Sequence, residues 1–244
     1  MSFVVIAPAR RESGRLPNKM LADIGGVPMI VHTLRRARLS GAARVLAACD
    51  DGEVLQVCRD AGFEAVMTGK HQSGSSRIAE AAEVANVDDD VIVNVQGDEP
   101  FIESAVIDGV AELLYRREEC VCATAMRKLH NAEEYNNSAV VKVIADGEGC
   151  ALYFSRAAIP AAKDADTPPP LTIARAHIGI YAFRAGFLQQ LPKLPPSPLE
   201  QAESLEQLRI LWHGKKIALT EVSSASFGID TAADLARARE QIKQ

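Results

Sequence analysis

The sequence predicts an α/β fold built on a mostly parallel sheet, with a small β-rich insertion. Apolar, strand-like runs alternate with helix-period segments from residue 3 to residue 115. That βαβαβ rhythm implies parallel strands joined by right-handed crossovers. The run Val91-Ile-Val-Asn-Val95 is apolar at nearly every position, as in a strand buried on both faces. Several strand-like runs also end in short polar loops that lead into helices. In an open parallel sheet such loops lie at the carboxyl edge, where ligands bind.

The first strand is expected over residues 3–7, ended by Pro8, which has no N–H for a ladder. The loop after it carries cations at Arg10, Arg11, Arg15 and Lys19, with Gly14 among them. The chain has a formal net charge of −5, so this cluster opposes the overall balance. Solvated loop cations are common. Here the position points instead to a polyanion such as a nucleoside triphosphate. No Walker or GxGxxG pattern is present, so the phosphate site relies on side-chain cations more than on a glycine cradle.

A helix is expected over residues 27–39, with Pro28 in its first turn and Gly41 ending it. A strand over 43–49, a helix over 53–61 closed by Gly62, and a strand over 63–67 follow. The polar stretch Thr68 to Arg77 then precedes a helix over 78–87. Ser73 or Ser75 either caps that helix or belongs to a loop closing over a base or ribose, with Arg77 beside it. Past the central strand comes Gln96-Gly-Asp98-Glu-Pro100. Asp98 is either part of a turn before the helix 104–115 or a carboxylate that holds a divalent cation against phosphates.

From residue 120 the character changes. Strands are expected over 120–127, 139–145, 150–155 and 173–183, with Asp146 to Gly149 as a hairpin turn. Residues 158–172 carry prolines and aspartates and read as a loop. The β-rich part reads as an insertion or extension of the sheet, and a dimer partner would cover its exposed strands. A long helix over 199–213 places Glu203 and Gln207 four apart on one face. A strand over 216–221 and a helix over 232–243 complete the chain. Asp230, between them, repeats the placement of Asp98 and either caps the helix or joins a metal pair. Arg156 follows a strand and has the fork geometry that matches a carboxylate. His177 and Tyr181 share a strand face, although a mid-strand histidine is more often a hydrogen-bonded core residue.

Length and composition set the outer limits. The chain has 244 residues, enough for one large α/β domain or one with an insertion. Its acidity argues against nucleic acid, which usually needs a broad basic face. No apolar run approaches a membrane span, and Met1-Ser2 leads directly into the first strand. The expectation is a cytoplasmic protein. Cys49, Cys58, Cys120, Cys122 and Cys150 are expected as free thiols, with no structural metal.

Taken together, the motifs resemble one family. They are Pro8-Ala-Arg10 with Ser13, Arg15-Leu-Pro17 and Lys19; His71-Gln-Ser-Gly74 with Arg77; Asn94-Val-Gln-Gly-Asp98-Glu-Pro100; Leu152-Tyr-Phe-Ser-Arg156 with Ile159-Pro160; His177-Ile-Gly-Ile-Tyr181; Ser197-Pro-Leu-Glu200 with Glu203 and Leu205-Glu-Gln207-Leu-Arg209; and Gly228-Ile-Asp230-Thr231. In this order, along the whole chain, they resemble the 3-deoxy-manno-octulosonate (Kdo) cytidylyltransferases of Gram-negative bacteria. The chain departs from that pattern at Asn18-Lys-Met-Leu21, Ala48-Cys-Asp50 and Ser73-Gly-Ser-Ser76, and the loop after Pro160 is short.

The resemblance implies a Rossmann-like (GT-A-like) nucleotidyltransferase domain over 1–244, with a dimerisation and sugar-binding insertion at about 120–195. It implies transfer of CMP from CTP to the anomeric hydroxyl of Kdo, with release of pyrophosphate, Mg²⁺ as cofactor and a homodimer. The product would serve lipopolysaccharide assembly. Arg10, Lys19 and Asp98 would be catalytic. Ala9, Arg10, Arg15, Lys19, Ser73, Gly74, Arg77, Gln96 and Asp98 would hold the nucleotide. Gln96, Arg156, His177, Tyr181, Glu203 and Gln207 would hold the sugar acid, and Asp98 and Asp230 the metal. A related acceptor, 8-amino-Kdo or a sialic acid, would use the same fold.

Overall fold

A computed structural model describes residues 2–12, 14–161, 163, 168–223 and 227–242. Ser13, part of the first motif, lies outside the described residues. So do residues 162 and 164–167 of the loop after Pro160, and residue 243 at the end of the last expected helix.

The apolar first run forms β1 (Phe3–Ala9). A 3-10 turn at Lys19–Leu21 and the short pair β2 (Asp23–Ile24) and β3 (Val27–Pro28) lead to α1 (Met29–Ala37). Pro28 precedes that helix rather than lying in its first turn. Then come β4 (Arg44–Cys49), α2 (Gly52–Asp60), β5 (Glu64–Met67) and α3 (Gly74–Val84). Asp51 caps α2 by accepting from the Glu53 and Val54 amides. The buried run becomes β6 (Val91–Asn94), followed by α4 (Ser104–Arg116) and β7 (Cys120–Lys128). Next are α5 (Ala132–Asn136), the hairpin β8 (Lys142–Ala145) and β9 (Ala151–Ser155), and the long β10 (Arg175–Arg184). The chain continues through α6 (Ala185–Leu188), α7 (Pro198–Glu203), α8 (Gln207–Trp212), β11 (Lys216–Glu221) and α9 (Ala232–Ile242).

The described residues form a nine-stranded sheet in the order β11-β7-β10-β6-β1-β4-β5, with β8 on β10 and β9 on β8. The pairs β1–β4, β1–β6, β4–β5 and β11–β7 are parallel. Strand β10 runs antiparallel to both of its neighbours in the main sheet. Thus β7 and β10 extend the main sheet, and only the β8–β9 hairpin hangs from it. Val4 and Ile6 pack with Ile78 of α3 and Leu208 of α8. Val5 packs on the opposite side with Ile107 and Leu114 of α4, and Ala7 with Ile30 and Leu34 of α1. Both faces of β1 are therefore covered, which is why its sequence shows no alternation.

Pro8 does not end β1 as expected. Ile6 faces β6, where its carbonyl accepts the Val95 amide at 3.4 Å, and Phe3 faces β4, accepting the Ala43 amide at 2.9 Å. Pro8 shares the parity of Ile6. Its missing N–H therefore lies on the β6 side, where the register has already ended at Ile6–Asn94. Pairing with β4 continues to Ala9–Cys49.

The single helix expected over 199–213 is two. Ser204 adopts φ 53°, ψ 48° and separates α7 from α8. Glu203 and Gln207 consequently do not share a helix face.

Candidate active site

Four parallel strands, β1, β4, β5 and β6, deliver their following loops to one edge of the sheet. A cavity of about 210 Å³ lies there, lined by Arg10 and Lys19 after β1, by His71, Ser73, Gly74 and Arg77 around the start of α3, and by Gln96 and Asp98 after β6. Ser73 caps α3 by accepting the Ser76 amide at 3.2 Å, so this helix begins earlier than expected. Capping and cavity lining are thus both done by the same residue.

Lys19 is the centre of the charge arrangement. Its Nζ donates to Asp98 Oδ2 at 2.5 Å and to Asp230 Oδ1 at 2.9 Å. Arg15 Nη2 donates to the other Asp230 oxygen at 3.0 Å. Two carboxylates far apart in sequence therefore converge on one ammonium. Lys19 is 7% exposed. Burial lowers its pKa, but the Asp98 and Asp230 carboxylates outweigh that, and the net shift is upward. Lys19 stays charged. Arg10 has no ion-pair partner among the described residues and faces the same cavity. Ala9, at the end of β1, is fully buried beneath it.

Arg77 is 3% exposed and already committed. It donates to Asp50 Oδ2 and to Thr68 Oγ1, both at 2.7 Å. Gly97 lets the backbone after β6 pass close to β1: a Cβ there would lie 2.7 Å from the Pro8 carbonyl oxygen and 2.9 Å from Met20 Sδ. Only glycine fits, and this fixes where Asp98 begins its turn.

A second cavity of about 80 Å³ adjoins the first. Gly74 and Gln96 belong to both linings. Its other walls include Asn94, Tyr181, Glu206 and Gln207. Of the sugar-side residues expected from sequence, Gln96, Tyr181 and Gln207 meet here, whereas Arg156, His177 and Glu203 do not line it. His177 is a core histidine. It is bonded to Thr124 Oγ1 at 3.0 Å and sits edge-on to Phe154 at 5.0 Å, and burial drives its pKa down to about 3. Glu203 accepts from Ser155 Oγ at 2.6 Å and from the Arg156 amide at 2.9 Å. Arg156 Nε in turn donates to the Glu203 carbonyl at 2.8 Å and Nη1 to the Ser138 carbonyl at 3.3 Å.

Sequence reasoning assigned no individual site role to Asp50, His71 or Glu206, although the last two lie within the family motifs. Asp50 carried a usable signal, since it follows a parallel strand just as Asp98 does. His71 is held by Glu80, whose carboxyl is kept below the usual range by that hydrogen bond. Glu206, which accepts from Ser75 Oγ, lies within the Leu205-Glu-Gln207 motif, but its approach to α3 was not legible, because it depends on the break at Ser204.

Comparison with known proteins places the chain. The cytidylyltransferase family matches residues 4–217. The chain is 49% identical to the 3-deoxy-manno-octulosonate cytidylyltransferase of Acidovorax sp. (strain JS42), covering 97% of this chain and 96% of that one. It belongs to the 3-deoxy-manno-octulosonate cytidylyltransferase family. The corresponding protein of Methylibium petroleiphilum is also 49% identical, over 98% of this chain and 94% of its own. A solved structure of CMP:2-keto-3-deoxy-manno-octonic acid synthetase complexed with CTP superposes with a TM-score of 0.93 at 38% identity, covering 100% of this chain and 99% of that one. A glucose-1-phosphate thymidylyltransferase structure from Bacillus anthracis, at 16% identity and a TM-score of 0.68, shares the fold. The expected nucleotidyltransferase fold and family therefore hold. Among the described residues no helix is long and apolar enough to cross a membrane.

Proposed function

We propose that this chain transfers CMP from CTP to the anomeric hydroxyl of Kdo and releases pyrophosphate. The observation that carries the reading is the shared wall. Gly74 and Gln96 separate a cation-lined cavity from a smaller one with polar walls. A triphosphate in the first would present its α-phosphorus to a sugar acid in the second.

Arg10, Arg15 and Lys19 grip the triphosphate, and Ala9, Ser73, Gly74, Arg77 and Gln96 seat the cytidine. The sugar hydroxyl attacks the α-phosphorus and gives up its proton to solvent, the bond to the bridging oxygen breaks, and pyrophosphate leaves with its charge met by Arg10 and Lys19. Such transfers depend on positioning and charge neutralisation more than on covalent help. Asp98 and Asp230 suit Mg²⁺, since their hard carboxylate oxygens already converge on one cationic point. When bound there, the ion would neutralise charge on the phosphates. Gln96, Tyr181 and Gln207 meet the sugar hydroxyls. Arg156, His177 and Glu203 stand outside the smaller cavity: Glu203 fixes the Arg156 backbone, and His177 packs against Tyr181.

The β-rich segment at about 120–195 adds the sugar side and the contact of a homodimer, and the enzyme works in the cytoplasm, where CTP is available. The test is pyrophosphate release from CTP and Mg²⁺ with Kdo, 8-amino-Kdo or a sialic acid as acceptor. Kdo is expected to be fastest. Absence of release with all three would end the reading, and a faster analogue would reassign the acceptor.

A further inference from the structure

Asp50 touches neither cavity's polar centre directly, yet it joins three of the loops that build the site. It stands just past β4. Its Oδ1 accepts the backbone amide of Arg11 at 2.9 Å, in the loop after β1. Its Oδ2 accepts from Arg77 Nη2 at 2.7 Å, in the first turns of α3. Arg77 Nη1 then reaches Thr68 Oγ1 at 2.7 Å and the Gly69 carbonyl at 3.4 Å, in the loop after β5. Thr68 itself returns to β4, donating its amide at 2.7 Å and its hydroxyl at 3.1 Å to the Cys49 carbonyl. One carboxylate therefore ties the exits of β1, β4 and β5 together.

The consequence falls on Arg10 and on the mouth of the nucleotide cavity. Arg10 is exposed and has no ion-pair partner among the described residues, so nothing but its backbone holds it in place. That backbone is anchored one residue on, by the Arg11 amide on Asp50. Arg77 is nearly fully buried, and both its Nη nitrogens are engaged, on Asp50, Thr68 and Gly69. It is a strut between loops rather than a free phosphate ligand. Beside it, Glu80 accepts the Gly69 amide at 2.9 Å and also holds His71, so the loop after β5 is fixed from α3 as well.

We propose that Asp50 is a positioning residue for the nucleotide: it acts through the Arg11 amide and Arg77 to hold the β1 and β5 loops in the CTP-binding arrangement. This rests on the reading of the 210 Å³ cavity as the nucleotide site. The two bonds can be separated. Asp50→Asn keeps an acceptor for the Arg11 amide but turns an NH₂ toward Arg77, which has only donors to offer. Asp50→Ala removes both acceptors. Arg77→Lys keeps the charge but loses the fork that reaches Asp50 and Thr68 together.

Losing a hydrogen bond to a charged group predicts a rise of about tenfold or more in the CTP KM of Asp50→Asn. Asp50→Ala should rise further, because the Arg11 anchor is lost too. The sugar KM should stay at the wild-type value. The ligand-free Tm should fall, because Arg77 loses its buried partner, and the upward Tm shift on adding CTP, taken from each variant's own ligand-free Tm, should shrink. In Asp50→Asn/Arg77→Lys the two losses should be less than additive, because each removes the same bond. Calorimetric CTP binding without sugar separates the two levels of the argument. Wild-type protein that fails to bind CTP would remove the nucleotide reading itself. Wild-type protein that binds, with Asp50 variants binding equally well, would overturn only the role of Asp50. An equal rise in both substrate KM values would make Asp50 a general structural residue, and would equally overturn it.

Discussion

Desolvation alone would lower the Lys19 pKa; the Asp98 and Asp230 carboxylates outweigh it and raise the pKa instead. Lys19→Ala leaves Asp98 and Asp230 facing each other without their shared cation and removes a grip on the triphosphate. CTP affinity without sugar is expected to fall by tenfold or more, the effect of a lost charged hydrogen bond of roughly 1.5–3 kcal/mol. Arg11 is the matched control. Its guanidinium is spent on Asp51 at 2.9 Å and Glu53 at 2.5 Å, at the surface. Such pairs contribute little, about 0–1 kcal/mol, so Arg11→Ala should bind CTP nearly as the wild type does. Calorimetry that ranks the two variants in the reverse order would refute the assignment. Asp98→Asn should lower kcat by about 10²–10³, the size of effect seen when a charge-stabilising group is removed from an active site, while the fold survives. Turnover near the wild-type rate would remove Asp98 from the chemistry.

His177 supplies a pH test of a different kind. Buried beside Phe154, it is neutral down to about pH 3, whereas in the unfolded chain it protonates near 6.5. The unfolded state therefore takes up the extra proton between those values, so stability is full above 6.5 and falls as pH drops toward 3. The slope from this group approaches about 1.4 kcal/mol per pH unit. Comparing urea unfolding at pH 7 and pH 5 should show wild type losing about 2 kcal/mol more than His177→Asn. Equal losses would mean that His177 titrates normally in the fold.

At the scale of elements, what could be read from sequence was what period and punctuation dictate. The doubly covered strands β1 and β6, the helix α4 and the hairpin turn at Asp146 stood out because each satisfies its own local rule. What could not be read depended on partners distant in the chain. Pro8 continues β1 only because β6 pairing stops before it. Ser204 splits a helix through a left-handed conformation that serine rarely signals, and with it went the inferred Glu203–Gln207 face. The cation loop, Asp98 and Asp230 were legible as charges at strand ends, but not that Lys19 would bind both carboxylates, which needs the tertiary approach of residue 230. Gly97 was legible only as part of a motif. A methyl there meets the Pro8 carbonyl oxygen, Met20 Sδ and Ile30 Cδ1, at 2.7, 2.9 and 3.1 Å. Backbone cannot yield as a side-chain tip can, so Gly97→Ala should destabilise by about 1–3 kcal/mol through overpacking. It should also displace Asp98 and lower kcat. A melting curve and turnover both unchanged would show that the β6 loop has more room than its neighbours allow.

Across the whole molecule, the sheet solves its own edges unevenly. Helices and loops flank both faces, and the active-site loops gather where β1, β4, β5 and β6 end. On the other flank, β9 forms a ladder only with β8 among the described residues; Gly149 and Cys150, just before it, touch β11 through the Cys150–Ala218 bridge, and the rest of that edge has no strand beside it. Leu152 on β9 is 60% exposed, and Ile173, just before β10, is 58% exposed. An unpaired strand edge carrying apolar side chains is a surface that soluble proteins normally cover or break with charge. Here it carries neither proline nor lysine: β9 reads Ala-Leu-Tyr-Phe-Ser. A second copy of the chain is the cover we propose, and it would bury Leu152 against the same patch of its partner. Leu152→Glu places a charge in that contact without touching the nucleotide cavity. The wild type is expected to run at twice the chain mass of 26.2 kDa in size-exclusion chromatography with light scattering, and Leu152→Glu at the single-chain mass. Because α7 and Glu203 brace the end of β9 from within the same chain, through Ser155 and Arg156, the monomeric variant should keep CTP binding. A wild type that is monomeric at all concentrations, or a Leu152→Glu protein that remains dimeric, would place the homodimer contact elsewhere or remove it.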